Sequence, residues 1–168
     1  FRGLHPEETL NQLALQTFRH FGKYLCDFFR YTRMSLQDVR RMITIEHPEY
    51  IEQVQAMERG ALLVTAHFGN WELGAAALAA MGYKMNGVVL PHRDQRTERL
   101  FQSRRESRGI HLIPLGRAAI ETVRALHRKE FVGVVADRDY SDRNDTVNFF
   151  GAPARLPKGP ATLSAKTG

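Results

Sequence analysis

Ala61-Leu62-Leu63-Val64-Thr65-Ala66-His67-Phe68-Gly69-Asn70-Trp71-Glu72 is the stretch that decides the fold. Its first six residues make a short apolar run of strand length, and polar residues follow at once. Gly69 supplies a turn and Asn70 a helix cap, ahead of a helical run from Leu73 to Met81. The alternation then repeats. Gly87 to Leu90 reads as a strand, Thr97 to Arg108 as a helix, Ile110 to Leu115 as a strand, Ala118 to Arg128 as a helix and Phe131 to Ala136 as a strand. Short strands alternating with helices across Gly- or Pro-marked turns imply a mostly parallel central sheet covered by helices on both faces, hence an α/β class.

Upstream of this core, Leu10, Leu13, Phe18, Phe21, Leu25, Phe28 and Phe29 fall at the three-and-four spacing of one helical face, which predicts a long amphipathic helix from Pro6 to about Arg33. Arg19, Lys23, Arg30 and Arg33 supply cations along it. Its polar side either meets anionic headgroups or is a solvated basic face on a helix packed against its own domain. Ser35 with Asp38 reads as the cap of a second short helix, and Pro48 suits the first turn of a third. No linker or internal repeat interrupts the chain. Residues 1–58 therefore form a helical N-terminal arm, and 59–168 the α/β core.

The 168 residues are 43% hydrophobic and 25% charged, an ordinary globular balance that excludes disorder as the overall state. Twenty-four basic against 18 acidic residues give a net charge of +6, which favours an anionic partner: nucleic acid, a phospholipid headgroup or an acidic carrier protein. The single cysteine, Cys26, excludes an internal disulfide and leaves too few thiols for a cysteine-based zinc site, so no metal is expected and a reducing compartment fits. No apolar run approaches the length of a membrane span. The start at Phe1 and the end just behind a helical run mark the chain as a fragment.

Ligands of such sheets bind beyond the carboxyl ends of the strands, so the residues there carry the most information. They are polar: His67 to Glu72 after the first strand, Pro91-His92-Arg93-Asp94 after the second, Asp137-Arg138-Asp139-Tyr140 after the fourth. His67 and Glu72, five apart, do not share a face of one helix. With His67 on the strand exit and Asn70 capping the next helix, Glu72 falls in that helix's first turn, from which its carboxylate can reach back to the imidazole. A carboxylate on one ring nitrogen leaves the other as a base. There is no Gly-x-Ser-x-Gly elbow, and Cys26 lies within the N-terminal helix, so the base acts on a substrate hydroxyl. That chemistry is direct acyl transfer: the hydroxyl attacks a thioester, and the oxyanion needs donors nearby.

His67-Phe68-Gly69-Asn70-Trp71-Glu72 after an apolar strand resembles the histidine, four residues, acid signature of the late lipid A biosynthesis acyltransferases, within the wider group of glycerolipid and lysophospholipid acyltransferases. Leu4-His5-Pro6-Glu7, Arg93, Arg108-Gly109, Gly133-Val134-Val135-Ala136-Asp137, Phe149-Phe150-Gly151 and Leu156-Pro157-Lys158-Gly159-Pro160-Ala161 extend the likeness over nearly the whole chain. The family also has a hydrophobic anchor before this stretch and a further strand after it.

The resemblance implies His67 as general base and Glu72 as its orienting partner. It implies Arg93 as a phosphate or headgroup contact, suited to a five-donor guanidinium, although Arg93 also reads as a plain surface cation. Asp137 would hold a neighbouring arginine or the acceptor sugar, or is an ordinary loop carboxylate. Asn70 and Arg108 are further substrate contacts, and Gly159 with its flanking prolines resembles the loop that shapes the acyl pocket. The implied reaction moves a fatty acyl group from acyl carrier protein, or from coenzyme A, to a hydroxyl of a lipid A precursor or related glycolipid, with no cofactor. The implied place is the cytoplasmic face of the inner membrane. Transfer to a phosphatidylinositol mannoside or a lysophospholipid would use the same residues, and a lipid-binding relative without activity would share the pattern. A basic nucleic-acid-binding module is the reading from another class, against which the cations are dispersed among acids and no nucleic-acid signature appears.

Overall fold

The computed structural model describes residues 6–138, 140 and 144–168; Leu4, His5 and Asp139, named above, lie outside them. The α/β expectation holds: four parallel strands form one sheet, flanked by helices. Helix α1 (Glu7–Tyr31) opens on two acids behind Pro6, where carboxylates complement the helix dipole. Helix α2 (Leu36–Arg41) starts from a capping box, with the Asp38 backbone N–H donating to Ser35 Oγ at 3.1 Å and the Ser35 N–H donating back to Asp38 Oδ2. Helix α3 (Glu49–Ala56) follows Pro48.

The core is then β1 (Ala61–Thr65), α4 (Trp71–Ala80), β2 (Met85–Val89), α5 (Gln95–Glu106), β3 (Ile110–Pro114), α6 (Ala118–His127) and β4 (Phe131–Val135). Side chains two apart share a sheet face. Ala61, Leu63, Met85, Ile110 and Phe131 accordingly pack toward α3 and α4, while Leu62, Ile113, Val132 and Val134 pack toward α6. A further cluster joins the N-terminal helices to α4: Phe28 and Tyr31 of α1 and Val39 of α2 lie against Leu73, Ala76, Ala77 and Ala80. Small alanines on that side of α4 let the helices approach closely.

The sheet order is β1-β4-β2-β3. The chain passes outward from β1 to β2 and β3, then returns to insert β4 between β1 and β2, so β1 and β4 are hydrogen-bonded neighbours although about 70 residues apart. Residues 144–157 carry no strand signal in the sequence. They form a hairpin, β5 (Asn144–Phe149) and β6 (Ala152–Pro157), turned by Phe150 and Gly151, both at positive φ. A two-residue turn of that hand normally announces itself as Asn-Gly or Asp-Gly, and a phenylalanine in its place hides the signal. Helix α7 (Gly159–Thr167) closes the described residues, with proline at its start.

Candidate active site

Parallel pairing of β1 with β4 sets Thr65 beside Val135, and the Ala136 N–H donates to the Thr65 carbonyl at 2.8 Å. His67 and Asp137 are each two residues further on. Neighbouring strands lie about 4.8 Å apart, so the two side chains emerge side by side. His67 Nδ1 is 2.7 Å from Asp137 Oδ1. Burial pushes the Asp137 carboxyl up, but hydrogen bonds from the His67 ring, the His67 backbone and its own backbone outweigh it and hold it below its ordinary value. An ionised Asp137 accepting the Nδ1 proton leaves Nε2 as the nitrogen with a free lone pair. Trp71 meets the imidazole edge to face at a centroid distance of 4.8 Å, and Tyr24 of α1 stacks on Trp71, also at 4.8 Å.

Glu72 is elsewhere. The expectation that it orients His67 is corrected by its bonds to Arg105 of α5, whose Nη2 and Nε donate to Oε1 at 2.6 and 3.0 Å. The first turn of α4 points Glu72 inward, where its side chain is 6% exposed, and a carboxylate so far from water needs a cation. The planar guanidinium supplies two donors; a neutral imidazole could not neutralise the charge. Burial and then the Glu72 carboxylate push the phenols of Tyr24 and Tyr31 well up. Burial tends to lower the Arg105 pKa, and the Glu72 bonds more than restore it. This ion pair ties the start of α4, which carries Trp71, to α5.

Asn70 caps α4 as the sequence suggested: its Oδ1 accepts the Leu73 N–H at 3.0 Å, and its Nδ2 reaches Asp27 of α1 at 3.4 Å. Gly69, at φ 62°, makes the preceding turn. Arg108, expected as a substrate contact, is instead buried; it donates to the Met34 carbonyl at 2.8 Å and lies over the Tyr31 ring. It joins the end of α1 and the turn that follows it to the turn after α5, a structural use of a long cation. Asp137, expected on an arginine or a sugar, holds the catalytic candidate. Arg93 stands exposed in the turn before α5. Gly159 opens α7, whose Pro160, Ala161 and Ser164 line a hollow of about 410 Å³ with Leu62 and Val64.

His67 opens into a much larger cleft of about 1380 Å³. Leu13, Phe18 and Phe21 of α1 form one wall. Thr65, Gly87, Val89, Leu112 and Gly133 lie along the sheet beneath, with Trp71 and Ala75 of α4 beside them. Gly87 and Gly133 are register partners on adjacent central strands. Neither has a strained φ, and a Cβ on either would come no closer than 3.7 Å to a neighbour. Neither backbone conformation nor packing therefore demands glycine there; what the pair preserves is room in the cleft. Among the described residues no group of three or more His, Cys, Asp or Glu side chains could hold a metal ion.

The family model for bacterial lipid A biosynthesis acyltransferases matches residues 3–168. The chain is similar to a phosphatidylinositol mannoside acyltransferase of Mycobacterium tuberculosis, at 27% identity over 172 residues that cover 99% of this chain and 54% of the relative. It is also similar to a protein of the same description from Mycolicibacterium smegmatis, at 25% identity over 170 residues, 99% of this chain and 56% of the relative. The chain thus spans about half the length of the curated relatives it matches.

Proposed function

Because the chain belongs to the bacterial lipid A biosynthesis acyltransferase family, we propose that it moves a fatty acyl group from an acyl thioester to a hydroxyl of a phosphorylated glycolipid, with His67 as the base. The observation that carries this reading is the 2.7 Å bond from His67 Nδ1 to Asp137 at the mouth of an apolar cleft. His67 Nε2 takes the proton of the acceptor hydroxyl, whose oxygen attacks the thioester carbonyl carbon. As the tetrahedral intermediate collapses the carbon–sulfur bond breaks, and the same nitrogen returns the proton to the departing thiolate. The products are an ester and a free thiol. The acyl chain lies along the bare floor of the cleft over Gly87 and Gly133.

The acceptor is of the phosphatidylinositol mannoside type, which is what the names of the two relatives favour; a lipid A precursor is the second reading, favoured by the family's description. Acyl carrier protein is the proposed donor, with acyl-coenzyme A the alternative, and no cofactor takes part. The enzyme works from the cytoplasmic surface of the inner membrane. Leu13, Leu15, Phe18 and Phe21 are exposed on α1, which also carries Arg19, Lys23 and Arg30, a composition suited to an anionic interface. No helix among the described residues is long and apolar enough to cross a membrane. The test is transfer of labelled acyl groups from each thioester by the full-length protein into phosphatidylinositol mannoside or lipid A precursor in mixed micelles. Label appearing in neither acceptor refutes the reading.

A further inference from the structure

A second imidazole, backed by a carboxylate, faces the same cleft outside the His67 pair. His92 lies three residues past β2 and lines the cleft. Its Nδ1 is 2.9 Å from Glu98 Oε2 of α5, and the same oxygen accepts the His92 backbone N–H at 2.7 Å. Gln102 donates to the other Glu98 oxygen at 2.6 Å, and the Phe101 ring lies against the imidazole with centroids 4.6 Å apart. With its backbone N–H, one ring nitrogen and one ring face all held, the imidazole is fixed in orientation. Nε2 has no protein partner among the described residues. A side chain held so firmly, with one donor or acceptor left facing a cavity, is built to meet something that enters it.

What enters follows from distance and charge. The strands that carry His67 and His92 are separated by β4 alone, so their ends are on the order of 10 Å apart. His92 is too far away to share the proton that His67 takes, and it meets a different group of the same substrate. Of the charged residues lining this cleft, Glu72 and Arg105 neutralise each other, and Lys23 and Arg138 then outweigh Asp27, so the group is an anion. Both acceptor classes proposed above carry a phosphate close to the sugar, whereas a thioester donor keeps its phosphate at the far end of a pantetheine arm. We propose that His92, held by Glu98 and carrying a proton on both ring nitrogens when the acceptor is bound, is a positioning residue whose Nε2–H donates to a phosphate of the glycolipid acceptor about 10 Å from the reacting hydroxyl. This rests on the acyltransferase reading and adds to it the feature by which the acceptor is recognised.

The experiment compares the full-length wild type with His92→Ala, His92→Lys and Glu98→Gln. Each is assayed for acyl transfer to phosphatidylinositol mannoside and to a mannosyl diacylglycerol, which has no phosphate. Binding of short-chain phosphatidylinositol mannoside is measured in parallel without donor. Loss of one charge-assisted hydrogen bond raises the acceptor KM of His92→Ala about tenfold or more, with kcat and donor KM little changed. His92→Lys, which keeps a cation, recovers most of the loss, and Glu98→Gln moves the same way by less. With the phosphate-free acceptor the variants match the wild type. An unchanged acceptor KM in His92→Ala, a rise confined to the donor KM, or an equal loss on both acceptors overturns the proposal. Wild-type binding that depends on His92 without any turnover would instead sink the acyltransferase reading and leave the phosphate site standing.

Discussion

Replacing Glu72 by glutamine separates two explanations of the acid in the His-x4-acid motif. In the structure this carboxylate bonds Arg105 through both Nη2 and Nε, with side chains only 6% and 15% exposed. Glu72→Gln leaves the guanidinium buried without its counter-charge, which costs about 3–5 kcal/mol. For a domain of this size each kcal/mol lowers Tm by about 2–4 °C, so the fall is about 6–20 °C. Replacing both partners, Glu72→Leu with Arg105→Met, removes the uncompensated charge and returns the melting temperature to near or above that of the wild type. Well below its own melting temperature, Glu72→Gln keeps kcat within about tenfold of the wild type, because the Nδ1 partner of His67 is intact. Differential scanning calorimetry and a steady-state acyl-transfer assay on the same samples measure both quantities. A Glu72→Gln variant that melts like the wild type but loses turnover as completely as His67→Ala would refute the reasoning and restore Glu72 as the partner of the imidazole.

Three further outcomes are expected. Gly133→Leu fills the cleft floor and moves donor preference toward shorter acyl chains, each excluded methylene costing about 0.8 kcal/mol, or about fourfold in kcat/KM across a chain-length series. Leu15→Asp with Phe18→Asp removes two exposed apolar side chains from α1 and weakens sedimentation with anionic vesicles at least about tenfold, while added salt weakens the wild type. Since the folded-state pKa of Asp137 is lowered, its contribution to stability is present above the ordinary carboxylate range and is lost as pH falls through the lowered value. Asp137→Asn therefore narrows the difference in melting temperature between about pH 7 and about pH 3, as read by calorimetry.

Periodicity was enough to place all four sheet strands and their helices to within a few residues, because buried parallel strands and amphipathic helices write their spacing into local sequence. The caps at Ser35 and Asn70 were equally local and equally legible. Strand order is not local. Asp137 is legible as a strand-end residue, but nothing in the sequence says that β4 inserts beside β1, and only that adjacency sets Asp137 against His67. The fate of Glu72 was hidden for the same reason: its partner Arg105 sits 33 residues away on another helix, and a run of cations there gave no sign which one turns inward. Arg108 failed in the opposite direction, since a charged residue in a family-like motif suggests an exposed contact, whereas Tyr31 and the Met34 carbonyl draw it inside.

The coupling between His67 and Asp137 is the most direct test, through a double-mutant cycle on kcat with His67→Ala, Asp137→Asn and the pair. If Asp137 acts by holding the imidazole, each single variant loses about 100-fold or more and the double variant is no worse than His67→Ala alone. Losses that multiply in the double variant, or an Asp137→Asn enzyme with full turnover, would contradict the account.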